Sequence, residues 1–220
     1  METFFMERDR RKIGIGRIGR EKTLANVCKR RPCVFLRFLR RNMIPLLLQT
    51  LMLTGPSAEI GVWFGDYSAR LLDTWKRTQH HILVDPYLHR ECPQNGLRDK
   101  QCMRSQREFD TIYQNTRKRM VSSYGDRARI IRNDSILAAE QVLNSSLGFV
   151  YIDARHDHDA VVQDLEVWWP KIRQGGIIAG HDFTHIPLAA AVVEFMHAEA
   201  PTASIFITAD HPASWIIAKC

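Results

Sequence analysis

Long apolar runs, paired cysteines and a secretory signal are what this chain lacks, and each absence closes off a class of protein. The apolar piece at residues 43–53 falls well short of the ~20 residues that a membrane-spanning helix needs. The 5 cysteines (Cys28, Cys33, Cys92, Cys102 and Cys220) form no CxxC and no zinc spacing, which excludes a zinc ribbon and a dense disulfide framework. Their odd number fits reduced thiols in a reducing compartment, with a Cys92–Cys102 pair across a polar loop as the alternative. No secretory signal pattern is recognisable. Internal repeats and low-complexity tracts are missing too, so solenoid and fibrous architectures are excluded. What is there is ordinary for a globular protein: 220 residues, 45% hydrophobic and 25% charged, enough for one well-buried domain and short for two.

The formal net charge of +7 is unevenly placed. Residues 1–42 hold 13 Lys/Arg against 4 Asp/Glu, a surplus of +9, which leaves −2 for residues 43–220. The high pI therefore belongs to a basic leader and not to the domain that follows. Three readings of residues 1–42 stay open: a solvated, flexible extension, an organelle-targeting segment, or an arm that binds a polyanion. The compartment follows from that choice, cytoplasmic by default and organellar if the leader is a targeting segment.

From residue 43 onward helical and strand-like segments alternate. Pro45 suits the first turn of a helix within residues 43–53. Strands are expected at residues 58–63, 81–84, 129–132, 148–152 and 176–180, with a closing antiparallel pair at 204–208 and 215–219. Helices are expected at 68–77, 109–124, 136–143 and 188–198. Another follows residue 157, where Val161, Leu165, Trp168, Trp169 and Ile172 recur at helical spacing and Pro170 disturbs the end. Strands separated by helices imply right-handed crossovers and a mostly parallel sheet covered on both faces.

The chemistry gathers where strands end. Residues 59–68, EIGVWFGDYS, put Gly61 and Gly65 in the turn after the first of these strands, where backbone can approach a ligand. The spacing is ExGxxxG rather than the GxGxxG of a dinucleotide turn, and Glu59 suits an amine-bearing ligand better than phosphates. Asp85 ends the next strand, where a carboxylate can hold both hydroxyls of a ribose or merely start the Asp85-Pro86 turn. Asp134 and Ser135 follow the third strand and either meet an adenine edge or cap a helix. In residues 148–183 two apolar runs end in Asp153 and in His181-Asp182, which puts those side chains at one edge of the sheet.

Together, EIGVWFGDYS (59–68), LVDPY (83–87), FVYIDARHDH (149–158), DLEVWWPKIRQGG (164–176) and AGHDF (179–183) resemble the class I S-adenosylmethionine-dependent methyltransferases. The likeness spans about residues 56–220 and is greatest to small-molecule O-methyltransferase-like proteins. It implies a Rossmann-like α/β fold, with a seven-stranded, mostly parallel sheet and helices on both faces. It also implies S-adenosyl-L-methionine as cofactor, lined by Glu59, Gly61, Gly65 and Ser68, with Asp85 at the ribose and Asp134 and Ser135 near the adenine. In metal-using relatives the positions of Asp153, His181 and Asp182 bind a divalent ion, Mg²⁺ or Mn²⁺, that lowers the pKa of an acceptor hydroxyl. Two departures matter. Arg155 stands where some relatives carry an acidic general base, which leaves His156 as the substitute beside Asp153. His181 replaces a carboxylate, and imidazole is a poor Mg²⁺ ligand and a better one for Mn²⁺, Fe²⁺ or Zn²⁺, so the alternative stays open that no ion binds and that His181 and Asp182 hydrogen-bond substrate or backbone. The expected reaction is methyl transfer to a small-molecule hydroxyl. A non-catalytic sensor of the same cofactor and, less favoured, a NAD-dependent oxidoreductase are the alternatives. A nucleic-acid substrate is disfavoured, since the domain has no basic surplus and no NPPY-like motif. The sequence does not name the acceptor, and a homodimer is as compatible with it as a monomer.

Overall fold

A computed structural model describes residues 33–35, 39–91 and 103–219, with only the backbone of 33–35. Most of the basic leader, the proposed Cys92–Cys102 pair and the middle of the 88–107 loop lie outside the described residues.

The strands are β1 (Cys33–Phe35), β2 (Ser57–Ile60), β3 (His81–Val84), β4 (Ala128–Ile131), β5 (Leu147–Ile152), β6 (Ile172–Gly180), β7 (Ile205–Ile207) and β8 (Trp215–Ala218). They form one sheet in the order β1-β7-β8-β6-β5-β2-β3-β4. Every pairing is parallel except those of β8, which runs antiparallel to both β6 and β7. The seven expected strands are all present and form the mostly parallel sheet of the Rossmann-like class. An eighth, β1, comes from the segment before residue 43 and adds itself to the edge of β7.

The helices are α1 (Ile44–Thr50), α2 (Asp66–Thr74), α3 (Gln106–Tyr124), α4 (Ser135–Ala139), α5 (His158–Trp168) and α6 (Ile186–Glu199). The strand β5 explains the two-sided packing. Its six residues LGFVYI are all buried, as expected of a central parallel strand. Alternation sends Phe149 and Tyr151 toward α1 and α2, where Ile44, Leu48, Leu71 and Trp75 meet them. Val150 and Ile152 face the other way, toward Val161, Leu165 and Trp168 of α5 and Val192 and Phe195 of α6.

Local chemistry sets the boundaries. Gly65, at φ +74°, starts α2 at Asp66, two residues earlier than periodicity alone suggests. Ser105 and Glu108 form a reciprocal capping box that starts α3 at Gln106. Pro170 has the expected effect: α5 stops at Trp168 and a single 3₁₀ turn carries the chain into β6.

Candidate functional site

The strands β2 and β5 lie side by side, and their crossovers leave in opposite directions. This is the topological switch point where open α/β sheets bind ligands. A cavity of about 1250 Å³ opens there. Residues Gly61–Phe64 and Asp66 after β2, Asp85 after β3, Asp134 and Ser135 after β4, and Asp153–Asp157 after β5 line it. The sheet thus brings four separate expected motifs to one edge.

The turn after β2 is pressed against β5. Gly61 sits at φ +86°, and a β-carbon there would lie 2.0 Å from the Asp153 carbonyl oxygen, so only glycine fits. Asp85 holds the turn in place. Its Oδ2 accepts the Val62 and Trp63 N–H groups at 3.0 and 2.9 Å, and its Oδ1 accepts the Tyr87 N–H at 2.8 Å. Burial raises the Asp85 pKa, opposed by these three backbone hydrogen bonds. Trp63 and Tyr87 both take positive φ, and the Tyr87 hydroxyl donates to the Trp63 carbonyl at 2.8 Å. Asp85 is therefore first an organiser of the turn. Only its remaining lone pairs are left to meet a ligand in the cavity it lines.

Glu59 lines the cavity floor and is nearly enclosed. Ser68 donates to its Oε2, and Ser68 Oγ lies 3.1 Å from His81 Nε2. His81 Nδ1 reaches Ser57 Oγ at 2.8 Å, which meets Thr78 Oγ1 at 2.9 Å. Desolvation raises the Glu59 pKa, and the hydrogen bond to His81 works against it. Ser68 faces this buried network rather than the cavity, and Gly65 is not among the lining residues.

At the far end, Asp134 caps α4 by accepting the Leu137 N–H at 3.0 Å. Ser135 Oγ accepts from Trp168 Nε1 at 2.8 Å. Burial lifts the Asp164 carboxyl to about 6, with a Ser135 hydrogen bond pulling the other way. Asp164 lies in the quoted DLEVWW segment, yet its helical spacing gave no sign that it faces a cavity.

Beyond the turn lies a second cluster. His156 Nε2 is 2.9 Å from Asp182 Oδ2, and His181 Nδ1 is 3.2 Å from the same oxygen and 3.7 Å from Asp153 Oδ1. Although burial disfavours its charge, hydrogen bonds from His156 and His181 hold Asp182 well below the usual carboxylate range. Desolvation raises Asp153, against the attraction of Arg41 and His181. Asp153 and His156 line the cavity, while His181 and Asp182 stand behind them.

Sequence reasoning missed Arg41. Its Nη2 lies 2.5 Å from Asp153 Oδ2, and its guanidinium sits over the Tyr67 and Tyr151 rings at 4.8 and 5.4 Å. The backbone that carries it is anchored. The Arg41 N–H donates to Asp210 Oδ2, and the Ala209 N–H to the Leu39 carbonyl, both at 2.8 Å. One basic residue among 13 in residues 1–42 carries no positional signal, so nothing local marks it.

A divalent ion fits this cluster in size, because one ligand atom each of Asp153, His181 and Asp182 lie within 4.8 Å of one another. It does not fit in charge. Asp153 Oδ2 already faces the Arg41 guanidinium, and His181 offers a nitrogen where a hard cation prefers oxygen, so the donor set is poor in the anionic oxygens such an ion needs.

Residues 58–183 match the family model of a methyltransferase domain. No curated protein matches the chain significantly. Solved structures do. A putative caffeoyl-CoA O-methyltransferase from Staphylococcus aureus superposes with a TM-score of 0.57 at 15% identity, over 89% of this chain and 88% of that one. A putative rRNA-methylase from Clostridium thermocellum gives 0.57 at 14% identity, over 84% and 100%. An SAH-bound methyltransferase from Podospora anserina gives 0.54 at 9% identity, over 80% and 76%. At these identities the likeness establishes the fold alone.

Proposed function

The chain belongs to this methyltransferase family, and from that premise we propose that it moves the methyl group of S-adenosylmethionine onto a hydroxyl oxygen of a small-molecule acceptor. The observation that carries the oxygen acceptor is the His156–Asp182 pair, which stands beside Asp153 next to the cofactor turn. A carboxylate on Nε2 favours the tautomer with the proton on that nitrogen, which makes Nδ1 the basic atom. In this reading Asp182 orients the ring and His156 takes the acceptor proton.

The cofactor binds across the switch point. Glu59 meets the methionine ammonium, oriented through Ser68, and the Gly61–Gly65 turn lets backbone approach the methionine and ribose. The remaining lone pairs of Asp85 hold the ribose hydroxyls, and Asp134 and Ser135 flank the adenine. The acceptor oxygen attacks the sulfonium methyl in line: an O–C bond forms, the C–S bond breaks, and its electrons stay on sulfur as the thioether S-adenosylhomocysteine. The hydroxyl proton ends on His156. Asp153 Oδ1 is left to take a hydrogen bond from a different group of the acceptor, since Arg41 holds Oδ2 and the reacting hydroxyl gives its one proton to His156. Positioning contributes most of the rate.

Scintillation transfer assays with tritiated S-adenosylmethionine against a panel of phenols, alcohols, amines and RNA test the acceptor class. Label appearing on hydroxyl compounds supports the reading, whereas label on RNA or amines alone overturns it.

A further inference from the structure

We infer that Arg41 takes the place of the divalent cation at the Asp153–His181–Asp182 cluster, so that this methyltransferase holds its acceptor-side carboxylate with a guanidinium and works without a metal ion. The inference rests on the methyltransferase reading but asks a separate question of the site.

Three observations support it. The guanidinium sits on Asp153 Oδ2 at 2.5 Å, which neutralises the carboxylate an ion would need most. Its central carbon lies 4.8 and 5.4 Å from the centroids of two tyrosine rings that stack on each other at 4.1 Å, aromatic surroundings that suit a weakly hydrated guanidinium better than a hydrated ion. Its backbone is tied to the β7–β8 loop by Asp210, whose other oxygen accepts from Thr208 Oγ1 at 2.5 Å. An arginine arriving from solvent by chance would not have its main chain pinned in this way. The strap is fixed further by β1, which runs along β7 just before it. A guanidinium also stays charged at any working pH, so the carboxylate keeps its counter-charge without recruiting an ion.

Arg41 is a positioning residue in this account: it acts through Asp153. Its function is to keep one oxygen occupied and the other turned toward the acceptor.

The test is Mn²⁺ binding to the full chain, followed by loss of the free-ion EPR signal, in wild type, Arg41→Met, Arg41→Gln and Arg41→Lys. Freeing Asp153 should raise Mn²⁺ affinity about tenfold or more in the Met and Gln variants, because a like charge is removed from beside the ion. Arg41→Lys, which keeps the charge, should stay close to wild type. Two neutral variants guard against one that fails to fold, and thermal melts report folding for each. Wild type binding Mn²⁺ as tightly as Arg41→Met overturns the inference, as does a folded neutral variant with no gain. Calorimetric titration of S-adenosylmethionine into wild type with EDTA runs alongside. Its failure removes the methyltransferase reading, whereas tight Mn²⁺ binding by wild type removes only the metal-free one.

Discussion

The two ends of the cavity hold their carboxylates in opposite ways. At the cofactor turn, Asp85 is held by three backbone N–H groups, two of them from the turn it organises. At the acceptor end, Asp153 and Asp182 are held by side chains: Arg41, His156 and His181. Arg41 and Asp153 are 112 positions apart in the chain. The first arrangement is local, dipolar and insensitive to salt. The second is made of charged and ionisable side chains and is assembled across the fold. On the proposed reading, one end holds the ligand still and the other reacts with it.

The comparison sharpens first at His156. Replacing it by alanine should lower turnover by about 10²–10⁴-fold, the range a positioned base supplies, while S-adenosylmethionine affinity stays within a few fold. Stopped assays and calorimetry on the same preparation check both halves. Unchanged turnover would remove His156 from the chemistry. Asp85→Ala should do the reverse. It leaves three backbone donors without their acceptor and weakens cofactor binding by about 1–3 kcal/mol, with a lower melting temperature. If cofactor affinity held while stability fell, Asp85 would be an organiser only.

The smallest effect is expected at Asp164, whose carboxyl burial lifts to about 6 from an ordinary value of 3.8. The folded state then binds this proton more tightly than the unfolded chain does. Stability should therefore decline as pH rises from about 4 to about 6 and level off above. Asp164→Asn should flatten that decline and melt higher than wild type near neutrality. Melting curves between those pH values decide it, and parallel slopes for the two proteins would count against the burial argument.

The cofactor end was the more legible in sequence because its residues are neighbours. Glu59, Gly61 and Gly65 share one turn, and Asp85 follows the next strand at the spacing an α/β fold imposes. Even there the side-chain directions were hidden. Nothing in EIGVWFGDYS says that Ser68 turns inward to His81, because a serine's partner depends on what the helix packs against. Five of the seven expected strands were read to within a residue from apolar runs such as FVYI, whereas β2 ends three residues sooner and β6 starts four residues sooner than expected. The strand β1 escaped because three residues inside a basic stretch carry no alternation to detect. Arg41 escaped for a related reason. Its position depends on one hydrogen bond to Asp210 and on the pairing of β1 with β7, contacts that exist only in the folded chain.

The account stands or falls on whether the cavity at the β2–β5 switch point takes S-adenosylmethionine, and titration calorimetry on the full chain asks this most directly. One-to-one binding in the micromolar range, weakened by Asp85→Ala and unchanged by EDTA, is the predicted result. No heat with S-adenosylmethionine, while NAD binds to the same preparation, would contradict it.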